Sequence, residues 1–109
     1  MRCWFIVMPK LAVNAMAIFP FILLKNTFQK QDLILINHEK IHLKQQLELL
    51  IIPFYFLYFL NYLINLVKYK KHYPAYLNIV FEREAYQAEK DLNYLSKRKM
   101  YNWINFYSP

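Results

Sequence analysis

The chain has 109 residues, of which 58% are hydrophobic and 19% are aromatic, and it contains no glycine. This length fits a single domain, and the apolar content excludes an intrinsically disordered chain. Phosphate-binding loops need glycine where the backbone approaches the phosphate, so P-loop and dinucleotide-binding proteins are excluded as well. A lone cysteine, Cys3, rules out an internal disulfide and a zinc site built on several cysteines.

The net charge of +7 fits two kinds of anionic partner, a nucleic acid or a membrane surface. Lys68, Lys70 and Lys71 follow directly on an apolar run. Proteins that bind nucleic acids more often distribute their basic residues along a polar face. We therefore expect a lipid membrane as a partner, and no nucleic acid.

The first predicted element is a short β-strand at residues 18–24. This segment is rich in Phe, Ile and Leu and contains Pro20. Because proline lacks the N–H group that a central strand needs, we expect an edge strand or one arm of a hairpin. Lys10 interrupts the apolar residues that precede this segment, which argues against a cleaved signal peptide.

Two helices are predicted next, at residues 33–52 and 53–69, with Pro53 ending or kinking the first. The run from Leu49 to Val67 has no formal charge over 19 residues. Such a run is typical of a membrane-spanning or membrane-embedded helix, and the alternative is the core helix of a soluble domain. Tyr and Asn side chains recur along it at steps of three and four residues, so we expect that stripe to face protein.

A third helix is predicted at residues 78–97, after a linker at residues 72–77. The expected fold class is mainly α with a small β element (α+β), in a single domain over residues 1–109. We expect the protein to be membrane-associated, and lysines on both sides of the apolar run leave its orientation open.

One motif in the helix at residues 33–52 contains side chains that can bind a metal ion. His38-Glu39-Lys40-Ile41-His42 matches the pattern HExxH, and residues four apart lie on one face of a helix. Two imidazoles one turn apart can bind a single Zn²⁺, with Glu39 within reach of a water on that ion. The alternative is a solvated helix that holds two histidines by accident. Apolar residues on both sides favour a buried helix, in which an unpaired histidine pair would be unfavourable.

A catalytic zinc site needs a third protein ligand. Glu82 and Glu84 are candidates because small alanines on their helix would allow it to approach the motif helix closely. The residues alone do not decide which of the two glutamates is the third ligand.

The motif helix, together with Glu82-Arg83-Glu84-Ala85-Tyr86, resembles the zincin metallopeptidases that use a glutamate as third ligand. The chain is similar in particular to the membrane CaaX-processing and heat-shock zincins and to antirepressor-type membrane peptidases. It also resembles short uncharacterised metallopeptidase-like proteins with a related His-Glu-x-x-His-Leu-x-Gln-Gln stretch.

This resemblance implies a zinc ion bound by His38, His42 and Glu82, with Glu39 as the general base of peptide hydrolysis. Ala85, three residues after Glu82, favours that glutamate, and Glu84 is kept as the alternative ligand.

Other residues are candidates for supporting roles. Tyr86 stands where the family has Asp or Asn, so either its hydroxyl supports the site or the support comes from elsewhere. Gln45 lies near the metal face and could orient a ligand or the substrate, although such a residue is more often simply a surface residue of a helix. His72, Tyr73 and Tyr76 are candidate donors to an oxyanion, with simple packing as the alternative role.

The sequence thus predicts a membrane-associated zinc metallopeptidase that acts on a peptide or protein substrate. The alternative function is a non-catalytic membrane protein with a zincin-like fold, which would act as a binding or assembly module in a larger membrane complex. A soluble α-helical interaction protein without a metal is a third possibility.

Overall fold

A computed structural model describes residues 3–107. The fold is mainly α with a small mixed sheet, which confirms the predicted fold class. The strands are β1 (Trp4–Val7), β2 (Ala15–Ile18) and β3 (Phe21–Leu24). The helices are α1 (Leu33–Glu48), α2 (Ile52–Tyr69), α3 (His72–Leu77), α4 (Val80–Ala88) and α5 (Tyr94–Lys97). Short 3-10 helices occupy Thr27–Gln31 and Asn102–Phe106.

The three strands form one sheet in the order β1-β3-β2. The central strand β3 pairs parallel with β1 and antiparallel with β2. Residues 18–24 hold the end of β2, a turn and β3, so the segment belongs to a hairpin, which was one of the two expected forms. The other form, an edge strand, is wrong because β3 is the central strand. Pro20 lies in that turn. Its missing N–H group is thus no loss to the hydrogen-bonding ladder.

Helix α1 begins at a side-chain cap and ends at an abrupt corner. The carboxylate of Asp32 accepts a hydrogen bond from the N–H of Leu35, at 3.1 Å. Leu50 and Ile51 both have positive φ, at 61° and 70°, and so end the helical path four residues before the predicted boundary at residue 52. Pro53 then lies in the first turn of α2, where its missing N–H group needs no partner.

The corner separates two helices of different composition. Within residues 3–107, no single helix is long and apolar enough to cross a bilayer. Taken together across their bend of 112°, α1 and α2 have the length and composition of a broken span.

The segment after α2 differs from the prediction in two ways. Residues 72–77 are a short helix and not a linker, and the predicted helix at residues 78–97 is divided into α4 and α5. The carboxylate of Asp91 accepts a hydrogen bond from the N–H of Asn93, a local bond that favours a turn over a continuous helix. The start of α4 is capped from α2, because the N–H of Val80 donates to the side chain of Asn61 at 2.7 Å.

A buried ion cluster joins the end of α1 to α4 and to the segment after α5. The guanidinium of Arg98 contacts the carboxylates of Glu48, at 2.7 Å, and of Glu84, at 2.5 Å. All three side chains are at most 4% exposed. Burial alone would raise the pKa of Glu84, but hydrogen bonds from Arg98, Tyr94 and Gln45 outweigh that effect and lower it.

Replacement of Arg98 by methionine should destabilise the fold strongly. The variant Arg98→Met leaves two buried carboxylates without their cation, and we expect a loss of about 3 to 5 kcal/mol in the free energy of unfolding. Urea denaturation monitored by circular dichroism measures this loss. The matched control is Lys97→Met, which removes an exposed pair with Asp91 and should change stability by less than about 1 kcal/mol. Equal effects of the two substitutions would contradict a structural role for the cluster.

Candidate metal centre

Three side chains meet between α1 and α4. His38 and His42 come from α1 and Glu82 from α4, and all three are buried. The two Nε2 atoms are 3.2 Å apart, and Oε1 of Glu82 lies 3.1 Å from that of His38 and 3.0 Å from that of His42. This group could hold a metal ion.

The spacing of the three atoms fits one coordination sphere. Ligands held at about 2.0 to 2.1 Å from a tetrahedral zinc ion lie about 3.3 Å from one another. The observed separations of 3.0 to 3.2 Å are close to that value. Three protein ligands would leave a fourth position of a bound ion open to water or substrate.

Gln45 determines which nitrogen of His42 is free to bind a metal. The Nε2 group of Gln45 donates to the carbonyl of Phe81 at 3.1 Å and to Glu84 at 2.9 Å, which assigns the orientation of the amide. Its Oε1 therefore faces Nδ1 of His42, at 2.8 Å. An amide oxygen only accepts hydrogen bonds, so Nδ1 carries a proton, and in the neutral ring Nε2 presents the lone pair.

Glu89 does the same for His38. Its Oε1 lies 2.9 Å from Nδ1 of His38, and a carboxylate there favours a proton on that nitrogen. Sequence reasoning missed this residue. The available signal was its position seven residues after Glu82, two turns further along the same face of a helix.

The result is three acceptors that point at one another in a buried space. Such a group is unfavourable unless a cation or a proton lies among the acceptors. Burial disfavours the charged form of His42, but the charge of Glu82 and its hydrogen bond outweigh that effect and raise the pKa of His42 to about 9. Burial likewise opposes the ionisation of Glu82, yet the charge of His42 and hydrogen bonds from both histidines and Tyr58 lower its pKa. A metal that binds at neutral pH therefore displaces a proton.

Tyr58 holds the other oxygen of Glu82. Its hydroxyl donates to Oε2 at 2.6 Å, which leaves Oε1 facing the histidines. The spacing of Tyr and Asn residues predicts that Tyr58 faces protein, and its contact with Glu82 agrees with that prediction. Periodicity gave no information about which group it would meet, because that group comes from α4, 24 residues away.

Glu39 is buried beside the group and lines a cleft of about 1030 Å³ together with His38 and His42. Burial raises the pKa of its carboxyl group, and the nearby charges of His42 and His38 oppose that effect. The other walls of the cleft come from β2, α2, α3 and α4.

Glu84, the alternative ligand, does not join the three ligand atoms. It is fully buried in the ion cluster with Arg98 and reaches the site only through Gln45.

The remaining predicted residues lie along the cleft. The ring of Tyr86 packs edge-on against His38, with centroids 4.5 Å apart, and its hydroxyl is 2.8 Å from that of Tyr76. His72 is 2.9 Å from the hydroxyl of Tyr62, and Tyr73 is largely exposed. Tyr86 thus contacts the candidate ligand through its ring, while its hydroxyl bonds to Tyr76.

Comparison with protein families, curated proteins and solved structures finds no match to this chain. A function therefore has to be inferred from the chemistry of the group and of the cleft beside it.

Removal of one ligand should abolish metal binding. Purified protein is expected to hold about one zinc ion per chain, and His38→Ala and Glu82→Gln should each reduce this to background. Elemental analysis after dialysis measures the metal content. His72→Ala is the matched control, since it removes the third histidine of the chain without touching the group, and it should leave the metal content unchanged. Equal metal loss in all three variants would contradict the assignment.

The Tyr58 hydroxyl should strengthen metal binding without being a ligand. We expect Tyr58→Phe to weaken zinc affinity by about 10- to 100-fold, as is typical when a hydrogen bond to a ligand is lost. Competition with a chromogenic chelator measures this change. Tyr55→Phe removes a hydroxyl on the same helix that donates to the carbonyl of Ala17, and its zinc affinity should equal that of the wild type.

Proposed function

We propose that the protein is a zinc-dependent metallopeptidase in which His38, His42 and Glu82 hold the ion. The observation that carries this proposal is the convergence of two Nε2 atoms and one carboxylate oxygen, 3.0 to 3.2 Å apart, next to an open cleft. Two histidines and a glutamate are a ligand set known from zinc peptidases.

A zinc ion bound by three protein groups lowers the pKa of a water in its fourth position to about 7 and polarises a carbonyl oxygen. Imidazole also suits other divalent ions, so metal availability contributes to which ion is bound.

Glu39 is the general base in this proposal. Its carboxylate takes a proton from the attacking water and passes it to the nitrogen of the departing amine. The raised pKa of Glu39 suits this exchange, because a group that both accepts and returns a proton works best with a pKa nearer to the working pH.

The cleft walls indicate how a peptide would lie. Strand β2 is at the edge of the sheet and lines the cleft, so an extended substrate can run along this wall. The ring of Tyr86 packs against His38 and its hydroxyl bonds to that of Tyr76, and this hydroxyl pair is the donor group we assign to the developing oxyanion. His72 and Tyr73 then contribute to the wall and not to the reaction.

A second candidate function is a non-catalytic binding or assembly module. The observation that favours it is the large exposed apolar surface of α2, which offers a docking face independent of any chemistry. The metal group would then have a structural role.

Substitution of the base separates the two functions. We expect Glu39→Gln to keep its zinc and to lose peptide hydrolysis by at least about 100-fold, because the amide cannot accept the proton. A mixture of fluorogenic peptides, with a zinc chelator as a negative control, provides the assay. Lys40→Gln, the adjacent substitution on the same helix, should retain full activity.

Two outcomes would reject the metallopeptidase proposal or its mechanism. If zinc-loaded Glu39→Gln cleaves as fast as the wild type, Glu39 is not the base. If the fully loaded wild type cleaves none of the peptides, the binding-module function is favoured.

A further inference from the structure

Helix α2 directs both of its asparagines and Tyr58 toward the rest of the chain. The amide of Asn65 donates to the carbonyl of Ala75 at 3.1 Å, while Asn61 caps α4 and Tyr58 holds Glu82. These bonds use the polar residues of α2 to attach it to α3 and α4. The opposite side of the helix is therefore left with apolar side chains.

The outward side, which we call the apolar face of α2, is unbroken. Its exposed members are Ile52, Phe56, Phe59, Leu60, Leu63, Ile64 and Val67. They are 40% to 79% exposed. At about 100° per residue they cover an arc of about 140° over a length of about 22 Å. Pro53 is the only other residue in this arc, so no polar side chain interrupts it. The side of a helix that faces water instead carries polar and charged residues.

Positive charge is concentrated at the end of this face. Lys68, Lys70 and Lys71 are exposed, and none of them forms an ion pair with another residue in the described range 3–107. From residue 49 to residue 81 the chain has no Asp or Glu, so the charge of this region is not balanced locally.

We propose that the apolar face of α2 binds the surface of an anionic lipid bilayer. In this arrangement α2 lies along the bilayer, with its apolar side chains at the boundary of the acyl chains and the three lysines among acidic headgroups. The other side of α2 packs against the chain itself, so one side alone is free to contact lipid.

Charge complementarity selects lipid over a second copy of the chain. A contact between the α2 helices of two copies would bring no acidic residue to the lysines, because this region carries none. An anionic bilayer offers both an apolar layer and negative headgroups.

The position of Phe59 links this surface to the cleft. Phe59 belongs to the apolar face and also lines the cleft, so bound lipid would lie beside the cleft mouth. The substrate would then be a peptide segment at the membrane surface. This extension rests on the metallopeptidase proposal, whereas lipid binding itself needs neither metal nor turnover.

Vesicle sedimentation of the full chain tests the proposal. We expect binding to phosphatidylcholine vesicles that contain phosphatidylserine, weaker binding to pure phosphatidylcholine, and release at high salt. Lys68→Glu combined with Lys71→Glu should weaken binding by at least about 25-fold, because each lysine contributes about fivefold. Lys44→Glu, an exposed reversal on α1, is the matched control and should have less effect.

A second pair of variants tests the apolar contact. Phe56→Ser combined with Ile64→Ser should lower binding by at least about tenfold. Phe28→Ser alters an equally exposed aromatic residue outside α2 and should leave binding unchanged. Circular dichroism and metal content show that each variant is folded, and the lysine variants alter no core residue.

Three results would overturn the proposal. The first is equal binding to neutral and anionic vesicles with retention through alkaline carbonate, which indicates a spanning helix. The second is absence of vesicle binding together with a stable dimer that Phe56→Ser and Ile64→Ser dissociate, which indicates a second copy as the occupant. The third is absence of both binding and dimerisation.

Discussion

The structure depends on one carboxylate oxygen that faces two imidazole nitrogens. Oε1 of Glu82 lies about equally far from His38 and His42, and this contact joins α4 to the middle of α1. Each histidine directs its Nε2 atom to the shared space, because its Nδ1 atom is held by Glu89 or Gln45. The electrostatic repulsion among three acceptors requires positive charge there. A proton or a metal ion therefore completes the contact between the two helices.

Around this contact, hydrogen bonds extend outward to the edge of the domain. His42 is oriented by Gln45, Gln45 is held by Glu84, and Glu84 is neutralised by Arg98. The side chains in this series are buried, so residues that are not themselves candidate ligands help to orient the ligands.

The parts of this arrangement that follow local periodicity could be predicted from the sequence. The shared face of His38 and His42 depends only on helical spacing, and the mainly α fold class follows from the apolar and amphipathic segments. The choice of Glu82 over Glu84 came from a resemblance to a motif, and the structure brings Glu82 to the histidines.

Other parts depend on contacts between distant segments. Tyr58 and Glu89 support the group through side chains whose partners lie 24 and 51 residues away, and no local pattern names such a partner. The position of Pro20 in a turn was missed because the short strands on either side read as one apolar run. The break between α4 and α5 was missed because a local turn bond at Asp91 overrides helical spacing that continues beyond it.

The corner between α1 and α2 is built from backbone conformations that are unfavourable for the residues that adopt them. Leu50 and Ile51 both have positive φ, which costs a residue other than glycine roughly 1 to 3 kcal/mol, and the chain has no glycine to place there. The bend of 112° at this corner sets the direction in which α2 leaves α1, and along that direction the hydroxyl of Tyr58 reaches Glu82. A change in this angle would move both the Tyr58 hydroxyl, which bonds to Glu82, and the apolar face of α2, because one helix carries both.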